Sequence, residues 1–201
     1  MKNLFKLSFL LFAIVFASCS DDDTTASEPT DDTSPTSISN FVATTADYST
    51  LANALEITSL TETLNGEGPF TVFAPNNDAF AAFLAANGFT SLEDVPVDVL
   101  TNTLLNHVVL GTNNAADLTT SYINSLAVFG DTSRNLSLYI DVTTGVKING
   151  VSTVTQADIT VTNGVIHAVD SVIAIPTIVT QALANPAFST LVEALVAASD
   201  D

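Results

Sequence analysis

The strongest pattern of apolar and polar positions lies between Gly68 and Phe80, where the sequence reads GPFTVFAPNNDAF. Residues 70–74 are an uncharged run of β-branched and aromatic side chains, which predicts a short strand buried on both faces. Pro75 has no N–H to donate, so the strand should end there. Asn76 or Asn77 is a suitable cap for a helix that follows at once. The segment therefore predicts a strand, a break and a helix start in thirteen residues.

Apolar residues before this segment recur at helical spacing, and those well after it recur in short β-rich runs. Residues 38–55 predict an amphipathic helical segment that is interrupted near Asp47. Turn residues separate the later runs, and the predicted strands are 126–129, 136–142, 145–148 and 158–161. Helices thus come mainly before strands, which predicts an α+β fold.

A second distinctive segment, Asn163 to Ile173, reads NGVIHAVDSVI and predicts a tight turn followed by an apolar strand. The two segments resemble the two signature segments of fasciclin (FAS1) domains, TVFAPxNxAF and NGVIHxxDxVL, and they have the order and separation of the family. The resemblance covers Ser37 to Pro176. It implies a FAS1-type β-sandwich or wedge packed against several helices, and it implies a binding function, not catalysis.

The first 36 residues carry targeting information. Two lysines precede an apolar run from Leu7 to Ala17, which is shorter than the roughly 20 residues of a bilayer span and is typical of a signal peptide, residues 1–18. The run ends in Phe16-Ala17-Ser18-Cys19, which resembles a bacterial lipobox although Phe16 replaces the usual Leu. The resemblance implies cleavage before Cys19 and a lipid on its thiol. The alternatives are a membrane span or a simple secretion site beside an incidental cysteine.

Residues 19–36 are rich in Ser, Thr, Asp and Pro and predict a disordered acidic tether. The acidic cluster after Cys19 resembles export signals of surface lipoproteins, so we expect a cell-envelope protein that is lipid-anchored to the outer membrane and exposed at the surface. The cluster lacks the EF-hand order of calcium ligands. Cys19 is the single cysteine, so no internal disulfide is predicted.

The excess of acidic residues indicates which classes of binding partner are unfavourable. Lys2 and Lys6 lie in the predicted signal peptide, so Arg134 and Lys147 alone remain of the four basic residues, against 22 acidic residues. Such a chain should be repelled by nucleic acid and by anionic lipid surfaces. The membrane contact that we expect is therefore made through the lipid on Cys19.

Motifs for catalysis are missing from the sequence. There is no G-x-S-x-G, no P-loop and no dinucleotide-binding glycine pattern, and His107 and His167 are too few for a usual zinc site. We interpret both histidines as hydrogen-bonded core residues, and Asp170 is a poor catalytic partner for His167 at a spacing of three along a strand. No enzyme activity, cofactor or metal site is therefore predicted. The remaining alternative is an unrecognised hydrolase, which would need a cleft with convergent titratable groups. A structure without such a cleft would exclude it.

The resemblance also implies where a partner would bind. In adhesive family members, an Asp-Ile pair before the second signature and a Tyr-His segment are assigned to partner contact, and the matching positions here are Asp158-Ile159 and Asn106-His107. Asn106 departs from the family's tyrosine. We expect Asp158 to precede a strand and to be exposed, and Ile159 to enter the core.

The function that this implies is a non-enzymatic adhesion module that binds an extracellular protein or polysaccharide matrix. The alternative is a glycan- or small-ligand-binding subunit of a surface complex, which would need a pocket lined by aromatic side chains.

The C-terminal residues repeat an earlier stretch. Tyr48–Leu55 and Phe188–Leu195 are identical at five of eight positions. This predicts that residues 177–201 begin a second, truncated FAS1 repeat in a tandem array, and the alternative is an ordinary C-terminal helix. If the repeat is real, the segment should be poorly protected, and its removal should change the Tm little.

The lipobox generates the first prediction. We expect wild-type protein to fractionate with membranes, and Cys19→Ala to be released, because an acyl chain anchors through its buried methylene groups. Intact mass of the mature protein provides the measurement. A mature chain that starts at Cys19 without acyl mass would contradict the anchor.

Overall fold

A computed structural model of the chain describes residues 36–130 and 132–199. The signal peptide, Cys19 and the tether through residue 35 lie outside the described residues, so those expectations stay predictions. Among the residues that are described, no helix is long and apolar enough to cross a membrane.

The described chain contains helices, strands and short 3-10 turns. The helices are α1 (Ile38–Thr44), α2 (Ser49–Ile57), α3 (Thr61–Asn65), α4 (Asn77–Ala86), α5 (Val97–Leu105), α6 (Ile178–Ala184) and α7 (Ser189–Ser199). The strands are β1 (Phe70–Pro75), β2 (Val108–Leu110), β3 (Ser121–Val128), β4 (Asn135–Asp141), β5 (Lys147–Ile148), β6 (Ser152–Val161) and β7 (Gly164–Val169). The 3-10 turns are Ala46–Tyr48, Leu92–Asp94 and Pro186–Phe188. The predicted α+β class is confirmed.

The strands form one closed sheet in chain order, β1 to β7. Neighbouring strands are antiparallel except β1 and β7, which pair in parallel and close the sheet. Their register runs from Phe70 opposite Gly164 to Pro75 opposite Val169. The two signature segments, which are far apart in the chain, are therefore adjacent strands.

This parallel pair lies at the centre of the molecule. Every residue of β1 is buried, as the uncharged run predicts. Val72 and Ile166 belong to the larger core, which the helices cover, while Phe73 and Val169 belong to a second cluster with residues of β4 and β5. All six side chains of β1 therefore lie in the interior, including that of the polar Thr71.

Gly164 is required by the close approach of the two strands. A Cβ atom built on Gly164 would lie 1.9 Å from the carbonyl oxygen of Phe70. The sequence assigns this glycine to a tight turn, but it is the first residue of β7, and the turn is made by Thr162 and Asn163. The backbone contact itself excludes a side chain here.

The helix starts and breaks that the sequence predicts are confirmed. Asn76 caps α4, because its side chain accepts a hydrogen bond of 2.9 Å from the Ala79 N–H. The 3-10 turn Ala46–Tyr48 separates α1 from α2. The apolar faces of these two helices, which include Ile38 and Leu51, are buried.

Two strands begin earlier than predicted. β3 starts at Ser121 and β6 at Ser152, whereas the predicted strands start at 126 and 158. The middle of β6, residues 155–158, is exposed, and its register to β7 shifts twice. These bulges interrupt the alternation of apolar and polar residues from which a strand is predicted.

The Gly164 contact generates a stability prediction. Gly164→Ala should lower the free energy of unfolding by about 3 kcal/mol, because β1 and β7 must separate to admit the methyl group. Gly88→Ala is the matched control: Gly88 has φ +74° but nothing within 4 Å of a Cβ position, so only backbone strain of about 1 kcal/mol is expected. Urea unfolding provides the measurement. Equal losses in the two variants would contradict the role of the contact.

Candidate binding surface

Asp158 lies within β6, not before it as the sequence suggests, and it occupies the second bulge of that strand. Its φ is +61°, the left-handed region, and the residue is exposed. Ile159 is half-buried and packs against the larger core, in agreement with its predicted inward placement. The bulge therefore turns Asp158 outward and Ile159 inward.

Two hydrogen bonds fix Asp158 in this unusual conformation. Its carboxylate oxygen Oδ1 accepts from the Ala115 N–H at 2.8 Å, and its own N–H donates to Nδ1 of His167 at 3.2 Å. A left-handed non-glycine residue costs roughly 1–3 kcal/mol and persists only where its surroundings hold it. The exposed carboxylate is thus attached to a rigid backbone.

His167 joins this bulge to the loop that follows β2. The side chain is fully buried and stacks on Phe73, with ring centroids 5.6 Å apart. Because Nδ1 accepts from Asp158, the neutral ring carries its proton on Nε2, which donates to the Asn113 carbonyl oxygen at 2.8 Å. The interpretation of His167 as a hydrogen-bonded core residue is confirmed.

The loop is held at a second point by β1. The hydroxyl of Thr71 donates to the Gly111 carbonyl oxygen at 2.7 Å and accepts from the N–H and the side-chain amide of Asn113 at 2.9 and 3.0 Å. We call the exposed part of loop 112–117 together with Asp158 the bulge surface. Both signature strands hold it in place, through Thr71 and His167.

The other predicted binding pair lies elsewhere and is buried. Asn106 is 0% exposed; its amide donates to the carbonyl oxygens of Ile173 and Ala174, at 3.1 and 3.2 Å, and its Oδ1 accepts from the Ser125 hydroxyl at 2.9 Å. No partner can reach this side chain in this conformation. The expectation that Asn106 and His107 form a contact surface is therefore corrected, because both are committed to the segment that follows β7.

His107 is buried with both ring nitrogens paired. Nδ1 donates to the Thr103 carbonyl oxygen at 2.8 Å, and Nε2 accepts from the Ile173 N–H at 2.8 Å. Desolvation by burial lowers the pKa of His107 from its ordinary 6.5 to about 4, and the hydrogen bond to Thr103 opposes the shift in part. The histidine is neutral at pH 7 and links α5 to the chain after β7.

Asp170 and His167 do not pair with each other. Asp170 is exposed, and its Oδ1 accepts from the Thr153 N–H at 2.8 Å, away from His167. Among the described residues, no group of three or more His, Cys, Asp or Glu could hold a metal ion. The exposed carboxylate of Asp158 differs from that of Asp170 in its left-handed backbone conformation.

Two asparagines of the signature segments make long-range hydrogen bonds that the local sequence pattern does not predict. Asn163 accepts at Oδ1 from the Ile38 N–H at 3.0 Å and donates to the Leu64 and Gly66 carbonyl oxygens. Asn77 accepts from the Thr50 N–H at 2.9 Å. Asn163 thus holds α1 against the second signature segment, and Asn77 holds α2 against the first. Their position inside the signature segments indicates that they matter for the fold. It does not predict that their partners are the amides of Ile38 and Thr50.

An apolar groove of about 470 Å³ lies between the sheet and the C-terminal helices. Its walls include Tyr122 and Leu136 on one side and Ile178, Phe188 and Leu191 on the other. The alternative function, ligand binding, requires an aromatic-lined pocket, and this groove is where such a pocket could form.

Known proteins with similar sequences identify the family of this chain. The family model of the fasciclin domain matches residues 46–176. The chain belongs to the fasciclin domain family. The protein sll1483 of Synechocystis is 43% identical over 130 residues, which are 64% of this chain and 68% of the relative. Human periostin is 31% identical over 140 residues, which are 69% of this chain but 16% of periostin. The ig-h3 protein of Oryctolagus cuniculus is 32% identical over 64% of this chain and 18% of its own length.

The structure of this chain can be aligned with a solved structure of a FAS1 domain pair from the insect cell adhesion molecule Fasciclin I. The likeness covers 71% of this chain and 52% of that chain, at 21% sequence identity and a TM-score of 0.48.

The buried His107 generates a pH prediction. Its folded pKa, about 4, lies below the unfolded value, so the unfolded state binds the additional proton between pH 6.5 and 4. The free energy of unfolding should therefore be highest above pH 6.5 and should fall with decreasing pH, by about 1.4 kcal/mol per unit from this group. Urea unfolding at pH 7, 6 and 5 measures the slope.

His107→Gln removes the titration while keeping a side-chain donor and acceptor. The variant should be less stable at pH 7 but should lose less stability than wild type on going to pH 5. The difference between the two proteins isolates His107 from the other titrating groups. Parallel slopes would contradict the assignment.

Proposed function

We propose that this fasciclin-family protein is a non-enzymatic adhesion module that binds an extracellular protein or polysaccharide matrix. The signal sequence, the lipid on Cys19 and the acidic tether would present it at the outer face of the cell envelope. The single observation that carries the binding role is the bulge surface, where a strained and exposed aspartate is held by hydrogen bonds to the Ala115 N–H and to His167 of β7. Strained residues of this kind concentrate at ligand-binding sites.

The carboxylate of Asp158 can accept from a partner while it holds the loop. A carboxylate has two oxygens with about four lone-pair positions, and the bond to Ala115 uses one oxygen. A hydrogen bond from a charged donor would be short and roughly twice as strong as a neutral one. A cationic or hydroxyl-bearing group on the partner therefore fits this position.

The net negative charge of the whole chain also favours a partner with cationic groups. A protein with 22 acidic and four basic residues attracts basic matrix components and repels nucleic acid. One small surface of this kind binds weakly, so attachment would depend on many copies displayed on one cell.

A second candidate function is small-ligand binding in the apolar groove. The observation that favours it is the pair of aromatic walls, Tyr122 and Phe188. Aromatic rings supply most of the contact area in ligand pockets. Ligand binding there would require the groove to stay open to solvent.

The bulge surface generates a prediction for binding. Asp158→Asn should weaken the attachment of beads that display this domain to a protein or polysaccharide matrix, because it removes the charge. Thermal stability should change by no more than about 0.5 kcal/mol, since Asn keeps an acceptor for Ala115 and tolerates the left-handed region. Asp158→Ala would not separate the loss of binding from the loss of stability, because it removes both the charge and the acceptor for the Ala115 N–H.

Ile159→Ala is the matched control, since it truncates the half-buried neighbour in the same bulge. It should lower binding and stability together, the stability by about 2 kcal/mol. Beads carrying an unrelated acidic protein set the background. If wild-type beads attach no better than this background, or if Asp158→Asn binds as wild type does, the proposal fails.

A further inference from the structure

The apolar groove between the sheet and the C-terminal helices is held open by polar contacts. The side chain of Gln181 in α6 donates to the Ser137 carbonyl oxygen of β4 at 2.9 Å. The side-chain amide of Asn185, which follows α6, donates to the hydroxyl of Tyr122 in β3 at 3.0 Å. These hydrogen bonds fix the position of the helix on the two strands, so the apolar walls between them do not close on each other.

The end of α6 is fixed by a close backbone approach as well. The Cα of Ala184 lies 3.1 Å from the position that a Cβ of Gly150 would take, so α6 ends directly against the turn between β5 and β6. Facing apolar surfaces in proteins normally pack without gaps. A preformed groove of about 470 Å³ between such surfaces is typical of a small-molecule site.

The lining of the groove indicates the charge of its ligand. The ten described residues that line it are all uncharged, in a chain with 22 acidic and four basic residues. An ion that entered the groove would lose hydration without gaining a partner of opposite charge from this lining, which is unfavourable. The groove therefore favours a neutral ligand.

Two aromatic rings face the groove from opposite walls. Tyr122 is 45% exposed on the sheet side, and its ring packs on that of the buried Tyr139, with ring centroids 5.1 Å apart. Phe188 is 40% exposed on the helix side. Aromatic rings bury a large area and gain additional energy from contact with other rings. A planar aromatic ligand therefore fits between these walls.

The polar groups of the groove indicate what the ligand must carry. The Tyr122 hydroxyl accepts from Asn185, and its own proton has no acceptor in the part of the chain that the structure describes. Gln181 offers the opposite group, because its Oε1 is buried with no hydrogen-bond partner among the described residues. An unpaired buried acceptor is unfavourable. A hydroxyl group matches both, since its oxygen accepts and its proton donates.

We propose that the apolar groove binds a neutral aromatic molecule that carries a hydroxyl group, with the ring between Tyr122 and Phe188 and the hydroxyl paired with Tyr122 and Gln181. The proposal rests on the second candidate function, ligand binding in this groove, and it adds the chemical class of the ligand. It does not involve the bulge surface.

Three probes of similar shape test the ligand class by equilibrium dialysis against the full chain at pH 7. We expect α-naphthol to bind with a Kd of about 0.1 mM, a typical affinity for a ligand of this size. Naphthalene, which lacks the hydroxyl, should bind about fivefold more weakly. The anion α-naphthoate should bind at least about tenfold more weakly.

The order of the three affinities decides the outcome. Non-specific association with an apolar surface would favour naphthalene over α-naphthol, because naphthalene is the more hydrophobic of the two. If naphthalene or α-naphthoate binds as tightly as α-naphthol, the ligand class is wrong. If none of the three probes binds, the second candidate function fails for aromatic ligands together with the ligand class.

Two matched substitutions locate the site. Leu191 lines the groove and Leu183 does not, and both are exposed, at 48% and 64%. Leu191→Glu should weaken α-naphthol binding at least about tenfold, because it places a charge in the apolar lining. Leu183→Glu should leave the affinity unchanged. Circular dichroism checks that both variants keep the helix content of wild type. Equal affinities in the two variants would overturn the proposal.

Tyr122→Phe tests the hydrogen bond separately from the ring. The variant keeps the aromatic wall and loses the hydroxyl, so α-naphthol should bind about fivefold more weakly while the affinity for naphthalene stays the same. An unchanged affinity for α-naphthol would contradict the proposed pairing. This readout distinguishes a polar contact from a general loosening of the groove, which would weaken both probes.

Sedimentation equilibrium tests the other occupant, a second copy of this chain. A monomeric chain that binds α-naphthol supports the proposal. A dimer that Leu191→Glu dissociates would assign the groove to an interface between copies and would overturn it. If Leu191→Glu abolishes binding but naphthalene is preferred, ligand binding in the groove stands and the hydroxylated class fails. The Asp158 bead assay is unaffected by any of these results.

Discussion

The parallel pairing of β1 with β7 is the constraint on which the rest of this structure depends. It closes the sheet, and it requires the Phe70 carbonyl to lie where a side chain of Gly164 would be. Both strands are mostly apolar and buried, and they supply residues to both cores at once. The helices and loops can then be understood as elements held on this pair by a few buried polar side chains.

Those buried polar groups connect the fold to its proposed function. Thr71, Asn113 and His167 pair with one another's backbone or side chains, and the result is a fixed loop and a fixed Asp158. A buried polar group left unpaired costs about 1–3 kcal/mol, so the network selects one arrangement of the loop. A binding residue that is positioned in this way needs no ordering when a partner arrives, which favours affinity.

Local features of the fold could be predicted because their causes are local. The Asn76 cap and the break near Asp47 follow from residues within one or two turns of the chain. The bulges of β6 could not be predicted, since Asp158 takes its left-handed conformation from Ala115 and His167, which are distant in sequence. The same reason explains the correction at Asn106, whose partners Ile173 and Ala174 come more than 60 residues later.

The sequence by itself determined the family, the α+β class, the helix starts and the similarity of Tyr48–Leu55 to Phe188–Leu195, because each depends on contiguous residues. Only the tertiary structure decided that β1 and β7 are neighbours, that Asn106 is buried and that Ile178 is exposed while Ile38 is covered. Ile38 and Ile178 each begin a short helix, and they differ in burial because burial depends on what packs against a side chain. That depends on contacts between residues far apart in the chain, which no local pattern contains.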